Sequence, residues 1–580
     1  MTDRGYTWRM VLAVVVLLAG WGGLAARLAV LHLGPNEGLR ARVDQIRKVE
    51  EEILVGRGRI LDSHGNILAL DLAVKNVVAD PKTILERGHL RFVAAQLSRL
   101  LQLDPAMVFA RLNRPGRQFE YIKKLVPDDT VQQIRRLQLT GVFFEDVSAR
   151  YYPQGPMLCH VVGFANLEGV GSAGVEQRMD SYLRGRTGLR ISEKDGRRIE
   201  VYSRRRLDIA PQEGADVYLT VDQNLQYMVE KALDAAVEEH RAKGAWAIIE
   251  RVRTGEILAL ACRPAYDPNN FRVAPEDCML NRAIGYVYEP GSTFKAAVIT
   301  AALNEGVVSP DDVFDCENGM WFYQGRGLRD FHPYGRLTVA DIIKKSSNIG
   351  AAKVGLKLGE RNLENYLRAF GFGKSTGLDL PGEEAGILRD RTKWSSLTIS
   401  RIPMGHEVGV TSLQMLNLLC CIGNNGFLMR PSIVQRIVDK QGRTIMEFQP
   451  EVVSKPIRED TARLMQKLLA RVTEEGGTGT RARVEGYSVA GKTGTAQKAI
   501  PGGYSDMDNV ASFVGFLPAE NPEIGIIVVV DEPQPLHTGG VVAAPVFQEI
   551  AAQAARYLDI PPASTESAQT REEETSSGQM

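Results

Sequence analysis

Ser292 and Lys295 are the pair of side chains in this sequence best suited to chemistry, a hydroxyl and an amine three residues apart. Pro290 and Gly291 predict a turn just before them, and the apolar run 295–303 predicts a buried helix. Residues with this spacing share one helix face, so the two groups should be within reach of each other. Burial lowers the pKa of a lysine, so a neutral Lys295 could take the Ser292 proton. Taken alone, S-x-x-K is more often an ordinary helix start.

A second candidate segment lies 54 residues further along the chain. Ser346 and Asn348 follow the amphipathic run 339–345, which predicts a helix that ends at a small polar loop. The functional interpretation gives Ser346 a proton relay and Asn348 a hydrogen bond to a substrate amide. A simple helix-ending loop is the alternative.

The third segment is the strand-like run 487–496, which contains Lys492, Thr493, Gly494 and Thr495. Without a side chain, Gly494 would let an extended peptide approach and pair with the strand. The Lys492 ammonium and the two threonine hydroxyls would hold a terminal carboxylate. The backbone N–H groups of this strand and of the first helical turn would form an oxyanion hole. A phosphate-binding loop is the rival, but the Gly-rich run that such a loop needs does not precede the lysine.

The elements that position these groups begin with a membrane segment. Residues 10–26 are uncharged and mostly apolar, and 28–33 extend the run beyond Arg27. This length predicts a transmembrane anchor at 10–33 with the N-terminus in the cytoplasm, although basic residues flank both ends. A cleaved signal peptide and a buried core helix are the alternatives.

A polar, helical stalk is expected over 37–52, followed by a β-hairpin over 57–69. Helices are expected over 90–101, 105–112 and 127–137. No pairing of a nucleophile with a base is visible before residue 210, so this half is interpreted as a pedestal. Near-continuous apolar strands at 245–250, 256–261, 511–516 and 524–530 then predict a central sheet with helices on both faces, and the Ser-, Thr- and Glu-rich end after 561 predicts disorder.

Composition excludes some functions. The chain has 70 basic and 70 acidic residues in 580, and no basic stripe with interleaved aromatic residues, so nucleic acid is not an expected partner. The six cysteines form no C-x-x-C pair, and Cys420 and Cys421 are expected in the core, with one bridge among the others left open. His64 and His160 are interpreted as structural residues because neither has a partner at ligand spacing.

S-x-x-K, S-x-N and K-T-G in this order resemble the active-site triplet of the penicillin-binding proteins and serine β-lactamases. The resemblance extends to Arg57-Gly58, Arg150-Tyr-Tyr-Pro153, Gly174-Val-Glu176 and Asn281-Arg-Ala283, and covers nearly all of residues 1–560. The chain is similar to class B, monofunctional penicillin-binding proteins, and Tyr288-Glu-Pro-Gly-Ser292 looks more like their division or spore-type branch. Ser63-His64 and the segment 404–410 depart from the commoner family patterns.

The resemblance implies an α+β penicillin-binding transpeptidase fold, with a central antiparallel sheet flanked by helices, a membrane anchor and an elongated α+β pedestal. The expected divisions are a cytoplasmic N-terminus at 1–9, an anchor at 10–33, a pedestal or dimerisation-type domain at 34–213, a transpeptidase domain at 214–560 and a disordered tail at 561–580. The catalytic domain would lie outside the cytoplasm, with the protein held in the cell membrane.

The implied activity is that of a serine D,D-transpeptidase that cross-links peptidoglycan through an acyl-enzyme on Ser292, in septal wall synthesis. Lys295, Ser346, Asn348 and Lys492 would be the other catalytic residues, with Thr493, Gly494 and Thr495 binding substrate. Implied partners are glycan strands with D-Ala-D-Ala stem peptides, β-lactam inhibitors, a membrane-embedded glycan polymerase and other division proteins, with no metal or organic cofactor. The alternatives are a D,D-carboxypeptidase or β-lactamase-type hydrolase, and a vestigial β-lactam sensor or division scaffold.

Overall fold

A computed structural model describes residues 4–33, 48–53, 55–193, 202, 205, 207–500 and 503–562. The chain divides into two compact units, one formed by Met1–Val55 with Arg186–Gln212, the other by Gly56–Gly185 with Glu213–Met580. The first unit contains the helix Arg4–Leu33, whose part Tyr6–Leu33 is long and apolar enough to cross a membrane, with a mean hydropathy of 2.0. It also contains an antiparallel sheet of three strands, Lys48–Ile53, Gly188–Glu193 and Leu207–Ile209.

The N-terminal part of the second unit is built on a mixed sheet of seven strands. The predicted hairpin forms its centre, where Ile60–Leu61 pairs with Ile67–Ala79. The other strands, in sheet positions on either side, are Thr444–Glu447, Val434–Val438, Asp216–Leu219, Glu120–Val126 and Val142–Tyr151. The helices packed in this region are Pro81–Glu86, Leu90–Leu101, Pro105–Leu112 and Asp128–Arg136. Asp80 and Asp104 begin two of them, each as an N-cap followed by a proline.

Three short motifs that are far apart in the sequence meet in a buried ion-pair network. The Glu176 carboxylate is fully buried and receives Arg57 Nε at 2.6 Å and Arg150 Nε at 2.5 Å. Asp71 and Asp180 extend the network through the same two guanidinium groups. Paired charges of this kind tolerate burial because each compensates the other, so the network fixes the hairpin to the helix Gly174–Arg178.

The C-terminal part of the second unit is organised around a five-stranded, fully antiparallel sheet. Its strands, in spatial order, are Ile257–Arg263, Gly244–Arg251, Ile524–Asp531, Gly503–Leu517 and Ala490–Ile500. The helices Gln223–His240 and Ala543–Tyr557 cover one face. The helices Lys295–Asn304, Val339–Lys345, Asn348–Leu358, Glu360–Ala369, Ser412–Gly423 and Glu459–Ala470 lie in the core on the other face.

The predicted α+β fold, with an antiparallel sheet between helical layers, is confirmed. The expected helices at 90–101, 105–112 and 127–137 are present to within one residue at each end. Cys420 and Cys421 are buried in the core, and all six cysteines are free. His64 pairs with Asp222 at 3.1 Å, and His160 Nε2 lies 2.8 Å from a backbone carbonyl.

One expectation was wrong. The helical stalk predicted over 37–52 is contradicted where the chain is described, because Lys48–Ile53 is a strand paired with Gly188–Glu193. The run Lys48-Val-Glu-Glu-Glu-Ile53 has no local pattern that selects a strand, and the strand forms with a partner 135 to 145 residues further along the chain. The remainder of the stalk and residues 563–580 of the predicted disordered tail lie outside the described residues. The domain boundary at 213/214 stays a prediction.

Candidate active site

The Ser292 hydroxyl lies at the start of a buried helix, 2.9 Å from the amine of Lys295. Ser292 belongs to a 3-10 turn, Gly291–Phe294, which leads directly into the helix Lys295–Asn304. All ten residues of that helix are buried, as its apolar composition predicts. We call Gly291–Phe294 the nucleophile turn.

Lys295 Nζ lies within hydrogen-bond distance of four oxygen atoms, and the kinds of oxygen restrict the directions in which its N–H groups can point. Two are acceptors only, the Ser346 carbonyl at 2.6 Å and Asn348 Oδ1 at 2.7 Å. The other two are hydroxyls, Ser292 Oγ at 2.9 Å and Ser346 Oγ at 3.1 Å. A neutral amine has two N–H donors and one lone pair. If both donors serve the two obligatory acceptors, the lone pair is left for a hydroxyl proton.

Burial lowers the pKa of Lys295 to about 7, and the nearby Asp330 carboxylate opposes that shift. The side chain has no exposed surface, so desolvation of its charged form dominates. At neutral pH a substantial fraction of the amine is therefore unprotonated. A group with a pKa near the working pH is well suited to general base catalysis.

Ser346 lies between the two lysines of the site. It ends the helix Val339–Lys345 in a left-handed conformation, with φ of 61°, which is uncommon for a residue other than glycine. In this conformation both its carbonyl and its hydroxyl reach Lys295, while the hydroxyl also accepts a hydrogen bond from Lys492 Nζ at 2.9 Å. The serine hydroxyl thus forms a continuous hydrogen-bonded path between two amines.

Asn348 contacts the protein with both ends of its amide. Its oxygen accepts from Lys295, and its Nδ2 donates to the Arg329 carbonyl at 2.9 Å. One Nδ2 hydrogen remains for a substrate, so the predicted contact to a substrate amide stays a prediction.

Lys492 is fully buried, and burial together with the charge of Lys295 lowers its pKa well below the ordinary value. Besides Ser346 it contacts the Thr493 carbonyl at 3.1 Å and hydroxyl at 3.3 Å. A carboxylate bound beside it would favour the charged form again, because an opposite charge raises the pKa of an amine. The predicted carboxylate clamp therefore depends on the charge that the substrate itself brings.

The two predicted threonine ligands differ in their surroundings. The Thr493 hydroxyl is hydrogen-bonded to Thr478 Oγ1 at 2.8 Å and the residue is buried. Thr495 is partly exposed, and its hydroxyl accepts the Gly539 N–H at 3.0 Å. Thr478 and Gly539 were not found from the sequence, where they lie in short glycine-containing loops with no distinguishing spacing.

The surroundings of Gly494 give a reason for its lack of a side chain beyond the predicted approach of a peptide. A Cβ at this position would lie 2.3 Å from Ser512 Oγ, 2.9 Å from Thr293 Cγ2 and 3.1 Å from the Pro290 carbonyl. The space is therefore filled by the protein's own strand and nucleophile turn. A Cβ on Gly291 would likewise lie 2.7 Å from the Thr495 carbonyl. These close approaches bring the strand Ala490–Ile500 against the nucleophile.

A carboxylate beside the nucleophile turn was also missed from the sequence. Glu289 accepts the Glu407 N–H at 2.9 Å, and its other oxygen lies 2.8 Å from His406 Nδ1. Tyr504 donates to Glu289 at 3.3 Å and packs edge-on against the His406 ring. His406 lies in the segment 404–410, which departs from the commoner family pattern, and it holds the chain after Gly405 against the turn. Burial acts to raise the pKa of Glu289, but the hydrogen bonds that its carboxylate accepts, that with His406 first, outweigh burial and lower the pKa.

Among the described residues, no group of three or more His, Cys, Asp or Glu side chains could hold a metal ion. The assembled groups are instead a serine, two buried lysines and hydroxyls that connect them at the edge of an antiparallel sheet. This fold and site are those of the class that comprises the penicillin-binding proteins and serine β-lactamases.

Comparisons with known proteins agree. Residues 245–552 match the family model of the penicillin-binding protein transpeptidase domain, and residues 52–219 match that of the penicillin-binding protein dimerisation domain. The chain belongs to the class B penicillin-binding protein family. It is 33% identical over 569 residues to a probable peptidoglycan D,D-transpeptidase, PenA, of Neisseria meningitidis, covering 97% of this chain and 94% of the relative. It is 33% identical over 565 residues to the peptidoglycan D,D-transpeptidase FtsI of Escherichia coli, covering 96% and 93%.

Solved structures show the same fold. A peptidoglycan synthetase from Bifidobacterium adolescentis matches with a TM-score of 0.72 and 26% identity, over 89% of this chain and 98% of the other. Penicillin-binding protein 3 of Mycobacterium tuberculosis, in complex with aztreonam, matches with a TM-score of 0.69 and 26% identity over the same shares.

Proposed function

We propose that this chain is a serine D,D-transpeptidase that cross-links peptidoglycan through an acyl-enzyme on Ser292. The observation that carries the proposal is the arrangement around Lys295, whose two obligatory acceptors leave its lone pair for a hydroxyl 2.9 Å away. The peptidoglycan D,D-transpeptidase activity that names the PenA and FtsI relatives supports the substrate class.

In the first step, Lys295 takes the Ser292 proton as Oγ attacks the carbonyl carbon of the penultimate D-alanine of a donor stem peptide. A C–O bond forms, and the carbonyl electrons move to an oxyanion facing the N–H groups of Ser292 and Thr495. When the peptide bond breaks, the proton passes through Ser346 to the departing nitrogen. Terminal D-alanine leaves with its amine, and the donor peptide remains esterified to the enzyme.

In the second step, an amine from a neighbouring stem peptide attacks the ester carbonyl, so that a new C–N bond forms and the C–O bond to Ser292 breaks. The same hydrogen-bonded path, in reverse, accepts the amine proton and returns a proton to Ser292 Oγ. During the first step, before terminal D-alanine departs, Lys492 and the hydroxyls of Thr493 and Thr495 hold its carboxylate. The donor backbone lies along the strand Ala490–Ile500, whose outer edge is unpaired among the described residues.

The test is acylation by a penicillin, followed by intact mass measurement. We expect a covalent adduct of the penicillin mass on the wild-type chain and none on Ser292→Ala. An adduct that persists in Ser292→Ala would overturn the assignment of the nucleophile. Rapid loss of the adduct would favour the β-lactamase-type reaction, and trimming of stem peptides without cross-links, in a reaction with glycan strands, would favour a carboxypeptidase.

We also propose that the chain acts in septal wall synthesis, held in the membrane by residues 10–33 with its catalytic part outside the cytoplasm. The Tyr288-Glu-Pro-Gly-Ser292 context supports the division or spore-type branch, as does 32% identity over 519 residues to the stage V sporulation protein D of Bacillus subtilis. A membrane-embedded glycan polymerase would supply the strands. Depletion in the source bacterium should give filaments without septa, whereas rounded cells would contradict a septal role.

A further inference from the structure

Asp330 is a half-buried carboxylate that touches the S-x-N segment but belongs to none of the three motifs. It follows the hairpin strand Arg326–Arg329, which pairs with Met320–Tyr323. We propose that Asp330 is a positioning residue for the reaction, which orients the turn between Ser346 and Asn348 and supplies the counter-charge for Lys295. The inference rests on the proposed function, since it concerns the base of that site.

The first argument is geometric. One Asp330 oxygen accepts the Ser347 hydroxyl at 2.6 Å, and the other accepts the backbone N–H groups of Asn348 and, at 3.0 Å, Ile349. These N–H groups begin the helix Asn348–Leu358, where no intrahelical acceptor is available for them. A carboxylate suits this position because the helix N-terminus carries a partial positive charge.

The consequence for the site comes from the residues on either side of Ser347. Ser346 and Asn348 both contact Lys295 Nζ, and the peptide that joins them is the one that Asp330 holds. Ser347 is fully buried, and its hydroxyl also accepts the Gly350 N–H at 2.9 Å. Loss of the carboxylate would free this turn, and the two acceptors that orient the lysine would move with it.

The second argument is electrostatic. The Asp330 charge favours protonated Lys295 and so opposes the effect of burial on the pKa of that amine. Lys492 is the other titratable group that faces Lys295, from the strand Ala490–Ile500, and burial lowers its pKa well below the ordinary value. Cys316 and Tyr334 face Asp330, and burial raises the pKa of each, with a further upward contribution from the Asp330 charge. Neither is charged near neutral pH, so Asp330 is the anion that acts on the lysine.

Three variants separate these roles. Asp330→Asn keeps an oxygen for the two backbone N–H groups but removes the charge. Ser347→Ala removes one contact of the carboxylate and keeps the charge. Asp315→Asn is the matched control, because this carboxylate is exposed and lies on the strand Val313–Asp315, which pairs with Arg336–Thr338 in a separate sheet. The readouts are the second-order rate of acylation by a fluorescent penicillin between pH 5.5 and 9, and the melting temperature.

In Asp330→Asn, we expect the rising part (the acid limb) of the pH–rate profile to move to lower pH by roughly half to one pH unit. The reason is that removal of a nearby negative charge lowers the pKa of Lys295. Ser347→Ala should lower the plateau rate roughly tenfold without moving the limb, and Asp315→Asn should match the wild type. The proposal would be overturned if Asp330→Asn and Ser347→Ala both kept the wild-type pH–rate profile. It would also be overturned if Asp330→Asn changed only the melting temperature. If wild-type labelling is absent, or survives in Ser292→Ala, the proposed function itself fails.

Discussion

The rate at which a penicillin acylates Ser292 should rise with pH through about 7 and then level off. The reason is that the attacking step needs the neutral form of Lys295, and burial lowers the pKa of that amine to about 7. Below that pH each further unit lowers the neutral fraction about tenfold, so the rate near pH 5 should be roughly one hundredth of the plateau. An exposed lysine, with its ordinary pKa of 10.5, would place the same limb more than three pH units higher.

The perturbation that tests this reasoning is Lys295→Arg, because a guanidinium keeps a positive charge at every accessible pH. Loss of a general base lowers rates by about 10²- to 10⁴-fold, and the remaining rate should show no limb near pH 7. Lys357→Arg is the matched control, since that lysine is half-exposed and pairs with Asp312. It should keep both the wild-type rate and the wild-type profile.

The assay is the second-order rate constant for labelling by a fluorescent penicillin, measured from pH 5 to 9 at constant ionic strength. Labelling independent of pH across this range would refute the neutral-lysine mechanism. So would a limb that survives in Lys295→Arg, since the titrating group would then be another residue. Comparison of initial rates with intact mass confirms that the signal reports one covalent adduct per chain.

Three further predictions use the same labelling assay together with denaturation. Gly494→Ala should lower the acylation rate at least about tenfold and destabilise by roughly 1–3 kcal/mol, because its Cβ would lie 2.3 Å from Ser512 Oγ. Glu176→Ala should lower the free energy of unfolding in urea by about 3–5 kcal/mol, since it leaves two buried guanidinium groups without their shared partner, while folded protein still labels. Glu289→Ala should slow acylation roughly tenfold and Glu289→Gln much less, because the amide oxygen can still accept the Glu407 N–H.

The strands and helices of the second unit were predictable because their sequences carry strong local signals. The apolar run 295–303 is typical of a buried helix. Asp104-Pro105 begins a helix through a local hydrogen bond from the N-cap side chain. The strand Lys48–Ile53 was not predictable, because its stability depends on a partner 135 to 145 residues away. A local sequence pattern predicts a helix or a strand only where the pattern is incompatible with the other secondary structures.

The residues of the site could be predicted from the three motifs and from their order in the sequence, but their contacts could not. Ser292, Lys295, Ser346 and Lys492 come together through contacts that no single motif specifies. Asp330 could not be found, because its role comes from hydrogen bonds to backbone N–H groups, which leave no signature in the identity of their donors. The steric role of Gly494 could not be found for a related reason, since the atoms that exclude a Cβ belong to a neighbouring strand and to residues 290–293.

Burial of Lys295 also lowers the free energy of unfolding, by an amount that depends on pH. Lowering the pKa of Lys295 from 10.5 to about 7 corresponds to about 5 kcal/mol at most. The unfolded chain binds the proton more tightly, so this cost is complete below pH 7 and falls as the pH rises toward 10.5. The stability of the wild type relative to Lys295→Met should therefore increase with pH over that range. Urea denaturation of both proteins at pH 7, 8.5 and 10 measures it, and a constant difference would mean that the folded site holds the amine protonated.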